Sequence, residues 1–258
     1  MIDFHNHVLP ELDDGSKSME MTLNMLRAAY NQGIKKIVNT VHFQHPKMEG
    51  KNTDYDYINN IKNNVLDRAK NEGIDIEIDI ASEVYYLPNL CDIIDNPITT
   101  FNNYMLIEFP VMVVPSNFLE TFFNLRMKGI TPILAHPERY RFIQEDLGQL
   151  EKIKDLEVIF QIDAGSLIGH FGKRTMSTAF DMLENGYCHI IGSDAHNDSK
   201  RNFCLKEAYD MLSLLDRDII NHLVHNSNCI FEANLKIKDI KLEKLSFFQK
   251  IKKKISKT

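Results

Sequence analysis

Seven apolar runs of strand length, most of them separated by stretches with helical spacing, constrain the fold of this chain more than any other feature. The runs are Ile2 to His5, Ile34 to Val41, Ile74 to Val84, Tyr104 to Phe109, Ile130 to His136, Val158 to Asp163 and Cys188 to Ser193. Between them apolar residues recur with a helical period, as in Met21, Met25, Leu26 and Ala29, and in Ile58, Ile61, Val65, Leu66 and Ala69. A glycine closes each periodic stretch, at Gly33, Gly73, Gly129 and Gly186, where a left-handed residue ends a helix, and a strand candidate follows at once. The repeating unit is therefore βα, which implies a parallel sheet. Seven such units without a long linker, in a chain of 258 residues, favour one closed or nearly closed barrel of the α/β class over a doubly wound open sheet.

In barrels of this kind the catalytic side chains gather where the strands end. The first run leads into His5 and His7, the second into His42, the third into Glu83, the fourth into Glu108 and the fifth into His136, while the seventh is followed by Asp194 and His196. Six of the seven candidate strands thus deliver a His, Asp or Glu to one rim, and the loop after the first adds Asp13 and Asp14. A single histidine is ordinarily a capped or surface polar residue. Convergence of this many on one face is not explained that way. His45, His170, His189, His222 and His225 lack the placement and are read as ordinary polar residues.

Mixed imidazole and carboxylate ligands without thiolates suit borderline-to-hard divalent ions such as Mn²⁺, Zn²⁺ or Fe²⁺. The set exceeds the need of one ion, so two or three divalent metals are expected, and neighbouring metals commonly serve in-line hydrolysis at phosphorus or carbonyl centres. Arg139 follows His136 in HPER, and Arg201 follows His196 in SDAHNDSKR. Guanidinium groups beside a multi-metal site bind oxyanions bidentately, which favours phosphate and gives both arginines a substrate-binding and catalytic role. The expected reaction is attack of a metal-bridging hydroxide on phosphorus, with the arginines neutralising charge on the equatorial oxygens.

Other classes lose support. Lys and Arg number 30 against 36 Asp and Glu, a net charge of −6, so no broad basic face is available for nucleic acid. Cys91, Cys188, Cys204 and Cys229 lie far apart without CxxC spacing, and none has an arginine six positions on, so neither a disulfide scaffold nor a thiolate phosphatase is indicated. Neither GxxxxGK[ST] nor GxGxxG occurs. The start, MIDFHNHVLPELDDG, lacks the basic and apolar regions of a signal peptide, and no apolar run approaches the ~20 residues that span a bilayer, so a cytoplasmic protein is expected.

HNHVLPELDDG, the His after the second strand, the Glu in ASE, HPER, the AGSLIGHFG segment and SDAH with its following Arg together resemble the PHP (polymerase and histidinol phosphatase) superfamily. Within it the chain is similar to the manganese-dependent protein-tyrosine phosphatases of bacterial capsule and exopolysaccharide operons, from Met1 to about Arg201. That resemblance implies a distorted seven-stranded barrel with three metals. His5, His7, Glu83 and Asp194 would hold one ion, with Glu83 shared; Glu108 and His136 would hold a second; Asp14, His42 and His196 would hold the third. The implied substrate is phosphotyrosine in the tail of a membrane-associated tyrosine kinase that regulates polysaccharide export. Two positions depart from the pattern: Val41 stands where Pro is common, and Asp163 where Asn is common. A small-molecule phosphomonoesterase such as histidinol phosphatase is the alternative enzyme, and a non-catalytic metal-binding adaptor the alternative of another class.

The last segment, 241–258, carries seven lysines against one glutamate and places Phe247, Phe248, Ile251 and Ile255 at helical spacing. It is expected to be a basic amphipathic tail beyond a phosphatase domain spanning 1–240. Such a tail either docks on the barrel or makes weak contact with an anionic membrane surface or an acidic partner.

Overall fold

A computed structural model describes residues 1–48, 54–233 and 236–242. The chain runs through β1 (Ile2–Asp3), α1 (Met19–Asn31), β2 (Lys36–Phe43), α2 (Tyr55–Asn71), β3 (Glu77–Tyr85), β4 (Tyr104–Glu108), α3 (Phe118–Met127) and β5 (Thr131–Ala135). It continues through α4 (Arg141–Glu145), α5 (Gln149–Lys154), β6 (Ile159–Asp163), α6 (Ala164–Ile168), α7 (Gly172–Asn185), β7 (Ile190–Gly192), α8 (Leu205–Leu215) and α9 (Arg217–Phe231). Every strand pairs in parallel with the next in sequence, in the order β1 to β7. The expected βα alternation holds except between β3 and β4, which are joined by a loop with one short 3₁₀ turn, Leu90–Asp92. Gly33, Gly73, Gly129 and Gly186 all take left-handed φ values between 73° and 82°, as the helix-ending reading requires.

The sheet nearly closes on itself. Past β1 and β7 the two segments meet in a parallel bridge of Asn6 with Ala195, and Asp194 N–H donates to the His5 carbonyl at 2.7 Å. Asp3 prepares this meeting, because its buried carboxylate accepts from the backbone N–H of His5 at 2.9 Å and of Ser193 at 3.3 Å. The result is a seven-stranded barrel in a single domain.

Strand alternation sorts the apolar side chains into two layers. Phe4, Val38, Leu106, Ile133, Ile159 and Ile190 point inward and fill the barrel, where Ile230 of α9 joins them. Ile37, Val41, Ile107, Leu134 and Ile162 point outward and pack against the helices through Leu26, Val65, Leu183 and Leu212. Burial of both faces is what makes the strand runs continuously apolar rather than alternating. Among the described residues no helix is long and apolar enough to cross a membrane. Residues 241–258, apart from Lys241 and Leu242, lie outside the described residues.

Candidate metal centre

The strand ends bring all nine expected ligands to one rim. His5 and His7 follow β1, His42 lies near the end of β2, Glu83 lies in β3, Glu108 ends β4, His136 follows β5, and Asp194 and His196 follow β7. Asp14 reaches in from the loop after β1. His136 (φ 35°) and Asp194 (φ 48°) hold a left-handed backbone that costs a residue with a side chain energy. Both lie where a strand must stop abruptly so that its side chain can turn into the site.

Three donor sets adjoin one another, with all donor atoms in each within 4.8 Å: His5, His7, Glu83 and Asp194; His7, Asp14, His42 and His196; and His42, Glu83 and Glu108. Glu83 is the hub. Its Oε2 lies 3.1 Å from His5 Nε2, 3.3 Å from His7 Nε2 and 3.2 Å from His42 Nδ1, while its Oε1 lies 2.9 Å from His136 Nε2. Asp14 Oδ1 sits 3.3 Å from both His42 Nε2 and His196 Nε2.

The outer partners of the histidines show what these sets are built for. His5 Nδ1–H donates to Gln161 Oε1 at 3.0 Å, His7 Nδ1–H to Asp13 Oδ2 at 2.8 Å and His196 Nδ1–H to the Asp194 carbonyl at 2.8 Å. Each contact leaves the Nε2 lone pair facing inward, which is the tautomer of a metal ligand. Those lone pairs meet carboxylate oxygens, which also have only lone pairs to offer. Buried His5 Nε2, His7 Nε2, Asp194 Oδ1 and Glu108 Oε2 accordingly make no hydrogen bond despite their close approach. Acceptors that converge without donors fit divalent cations.

The electrostatics agree. Burial alone would lower His5, but Glu83 and Asp194 beside it leave it above the usual imidazole value. Burial, with Glu83 and Asp194 adding to it, pushes the Glu108 carboxyl up to about 9. Burial and then Arg139 bring His136 down to about 4. Glu108 thus faces the negative charge of its neighbours, whereas His136 is held as a neutral imidazole with a lone pair to offer.

Two guanidiniums stand at the edge of the donor sets. Arg139 Nη1 donates to Asp194 Oδ2 at 2.7 Å, and Arg201 Nη2 donates to the same oxygen at 2.6 Å. Arg139 also forms an ion pair with buried Asp163.

Residues 1–232 match the family model described as capsular polysaccharide synthesis, CpsB/CapC. The chain belongs to the CpsB/CapC family. It is 33% identical over 215 residues to the tyrosine-protein phosphatase YwqE of Bacillus subtilis, spanning 82% of this chain and 84% of that one. It is 30% identical over 221 residues to the tyrosine-protein phosphatase CpsB of Streptococcus pneumoniae, spanning 83% and 90%. One chain from the crystal structures of YwqE from Bacillus subtilis and CpsB from Streptococcus pneumoniae, described as unique metal-dependent tyrosine phosphatases, superposes with a TM-score of 0.87 at 28% identity, covering 95% of this chain and 100% of that one. An organophosphorus hydrolase from Deinococcus radiodurans shares the fold alone, with a TM-score of 0.53 at 11% identity over 89% of this chain and 92% of its own.

In this CpsB/CapC chain the expected sets overlap more than the resemblance implied, His7 also joining Asp14, His42 and His196, and the Glu108 and His136 pair is divided. Glu108 lies with His42 and Glu83, whereas His136 lies against the second oxygen of Glu83. His45, read from sequence as an ordinary polar residue, stands at the rim with Nε2 3.8 Å from Glu108 Oε2 and its ring 4.8 Å from that of His42. His170, His189, His222 and His225 fall outside the three donor sets. Asp163, the departure that would add negative charge near a phosphate, spends that charge on Arg139 and on capping α6, where it accepts from Gly165 N–H at 2.6 Å. Val41, the other departure, is a buried core residue. Gln161 and Phe171 also belong to the site's surroundings, and no spacing rule marks them in the sequence.

Proposed function

We propose that this protein is a metal-dependent phosphotyrosine-protein phosphatase of capsular polysaccharide synthesis, acting on the phosphotyrosine tail of a bacterial tyrosine kinase. The observation that carries the reading is the convergence of partnerless His Nε2 and carboxylate lone pairs beneath two guanidiniums. His5, His7, Asp14, His42, Glu83, Glu108, His136, Asp194 and His196 are the ligand candidates, and a donor set of nitrogen and oxygen without sulfur suits Mn²⁺, the ion the family resemblance implies, as well as Fe²⁺ or Zn²⁺. Divalent ions bound there supply Lewis-acid charge at phosphorus and lower the pKa of the attacking water.

This chain's own residues supply the rest. Arg139 and Arg201 offer planar donors to phosphoryl oxygens and gain strength as charge builds on them in the transition state. No cysteine competes as nucleophile: burial pushes all four thiols up, Cys204 to about 12. The phenolate of phosphotyrosine, with a pKa near ~10, leaves without strong acid assistance. A protein substrate is favoured over histidinol phosphate by the loop after β4, which exposes Met112 (71%) and Val113 (63%) four and five residues beyond Glu108. The test compares dephosphorylation of a tyrosine-phosphorylated kinase-tail peptide with that of histidinol phosphate, before and after chelation. The peptide should be preferred, activity should vanish with chelator, and Mn²⁺ should restore it. Undiminished turnover after exhaustive metal removal overturns the reading.

A further inference from the structure

The AGSLIGHFG segment contributes none of the nine ligand candidates, yet its Phe171 lies against both arginines. After α6, the amide of His170 donates to the Gly165 carbonyl at 2.8 Å and that of Gly172 to Gly169 at 3.2 Å, which folds the chain back over β6. The return brings the half-buried ring of Phe171 to both guanidiniums: Arg139 Cζ lies 3.8 Å from the ring centroid and Arg201 Cζ 5.9 Å from it. Gly165 makes room for this. A Cβ there would come within 3.0 Å of Phe171 Cε2 and 3.1 Å of Asp163 Oδ1, crowding the ring and the Arg139 partner together.

We propose that Phe171 is a positioning residue that sets both Arg139 and Arg201 for phosphate by presenting its aromatic ring to the two guanidiniums. The inference rests on the reading that these arginines bind the phosphoryl group.

A guanidinium held only by carboxylates at its edge commits the N–H groups that a phosphate would use. A ring against its face fixes the plane and consumes no donor. Nε of Arg139 and Nε of Arg201 are buried and make no hydrogen bond. Asp194, to which both arginines donate, is also a ligand candidate. Its hold on the arginines is therefore shared with any ion it binds. Phe171 is under no such competition.

The decisive variant replaces Phe171 by 3,4,5-trifluorophenylalanine, which keeps the shape and removes the electron-rich face. In the Mn²⁺-loaded protein, Kd for inorganic phosphate and KM for an aryl phosphate should both rise up to about tenfold, the range of a partly desolvated cation–π contact. The effect on kcat should be smaller, and metal content and Tm should stay unchanged. Phe171→Leu should repeat the loss, and Phe171→Trp should recover most of the affinity. Phosphate affinity unaltered by fluorination, or Phe171→Trp as weak as Phe171→Leu, overturns the inference provided that Arg139→Ala weakens phosphate binding. If Arg139→Ala and Arg201→Ala also leave phosphate affinity intact, it is the phosphate reading of the arginines that fails. Should Phe171→Leu not fold, the isosteric fluorinated variant alone decides.

Discussion

The side chains behind the histidines matter as much as the histidines. Gln161 is fully buried and holds His5 through Nδ1, so Gln161→Met keeps the volume but frees the ring to change tautomer or turn. Loss of such an outer partner typically weakens metal binding 10–100-fold. Metal titration of Gln161→Met should show a loss of about that size with little change in Tm; an unaltered affinity would mean that His5 is oriented by its other neighbours. The arginines should behave in the opposite way. Arg139→Ala or Arg201→Ala should retain metal and lower kcat/KM for a phosphotyrosine peptide by about 10², the effect of losing one charged contact to the transition state. Metal analysis beside steady-state kinetics separates the two classes, and a normal kcat/KM in either arginine variant removes that residue from phosphate binding. The contrast between these residues also explains what the sequence could reveal. His5, Glu83 or Asp194 is legible because each sits at the end of an apolar run. Gln161 is not, because its partner lies 156 positions away and nothing local distinguishes it from any other polar residue in a strand.

At the scale of elements, the rim depends on cross-links between neighbouring strand ends. Tyr140 is the clearest case: its hydroxyl donates to the Ala135 carbonyl at the end of β5, at 2.6 Å, and accepts from Phe109 N–H just after β4, at 2.9 Å. Tyr140→Phe leaves a buried donor and a buried acceptor unsatisfied, which should cost about 1–3 kcal/mol in urea denaturation; a cost near zero would show that the strand ends hold without it. On the opposite face the segment 236–242 is strapped across the start of β7. Ile240 bridges Cys188, Leu242 N–H donates to Leu183, and Asp239 contacts His189 and Lys154. The hydrogen bond from His189, with Lys154 adding to it, holds the Asp239 carboxyl well below its usual range. A lowered carboxylate stabilises the fold above its unfolded pKa near ~3.9 and loses that contribution as pH falls through the lower folded value. The stability difference between the wild-type chain and Asp239→Asn should therefore be present at pH 7 and shrink below about pH 4, measured as Tm across pH; a difference constant down to strong acid would rule out the charge as its source. Periodicity located all seven strands, but it could not show that β1 is only two residues long. That boundary comes from Asp3 drawing the backbone of His5 and Ser193 together, a contact between the two ends of the barrel.

For the molecule as a whole, charge is divided unevenly along the chain. Seven lysines and one glutamate in 241–258 amount to +6, which leaves −12 on the remainder. The described chain ends on the strapped face: Leu242 is buried and bonded to Leu183 at the end of α7, away from the rim where the strands finish. We therefore propose that the basic segment adds weak affinity for anionic lipid and takes no part in the chemistry, its lysines supplying attraction and Phe247, Phe248, Ile251 and Ile255 the apolar contact. The informative cut follows Leu242, because ending the chain at Ile240 would also remove a core side chain and confuse binding with stability. Truncation after Leu242 should leave Tm and aryl-phosphate turnover unchanged. It should abolish co-sedimentation with phosphatidylserine-containing vesicles, which in the full chain should weaken steeply between low and physiological salt. If the full chain ignores such vesicles at low salt, or if the truncated chain melts early, the segment serves the barrel and not a surface.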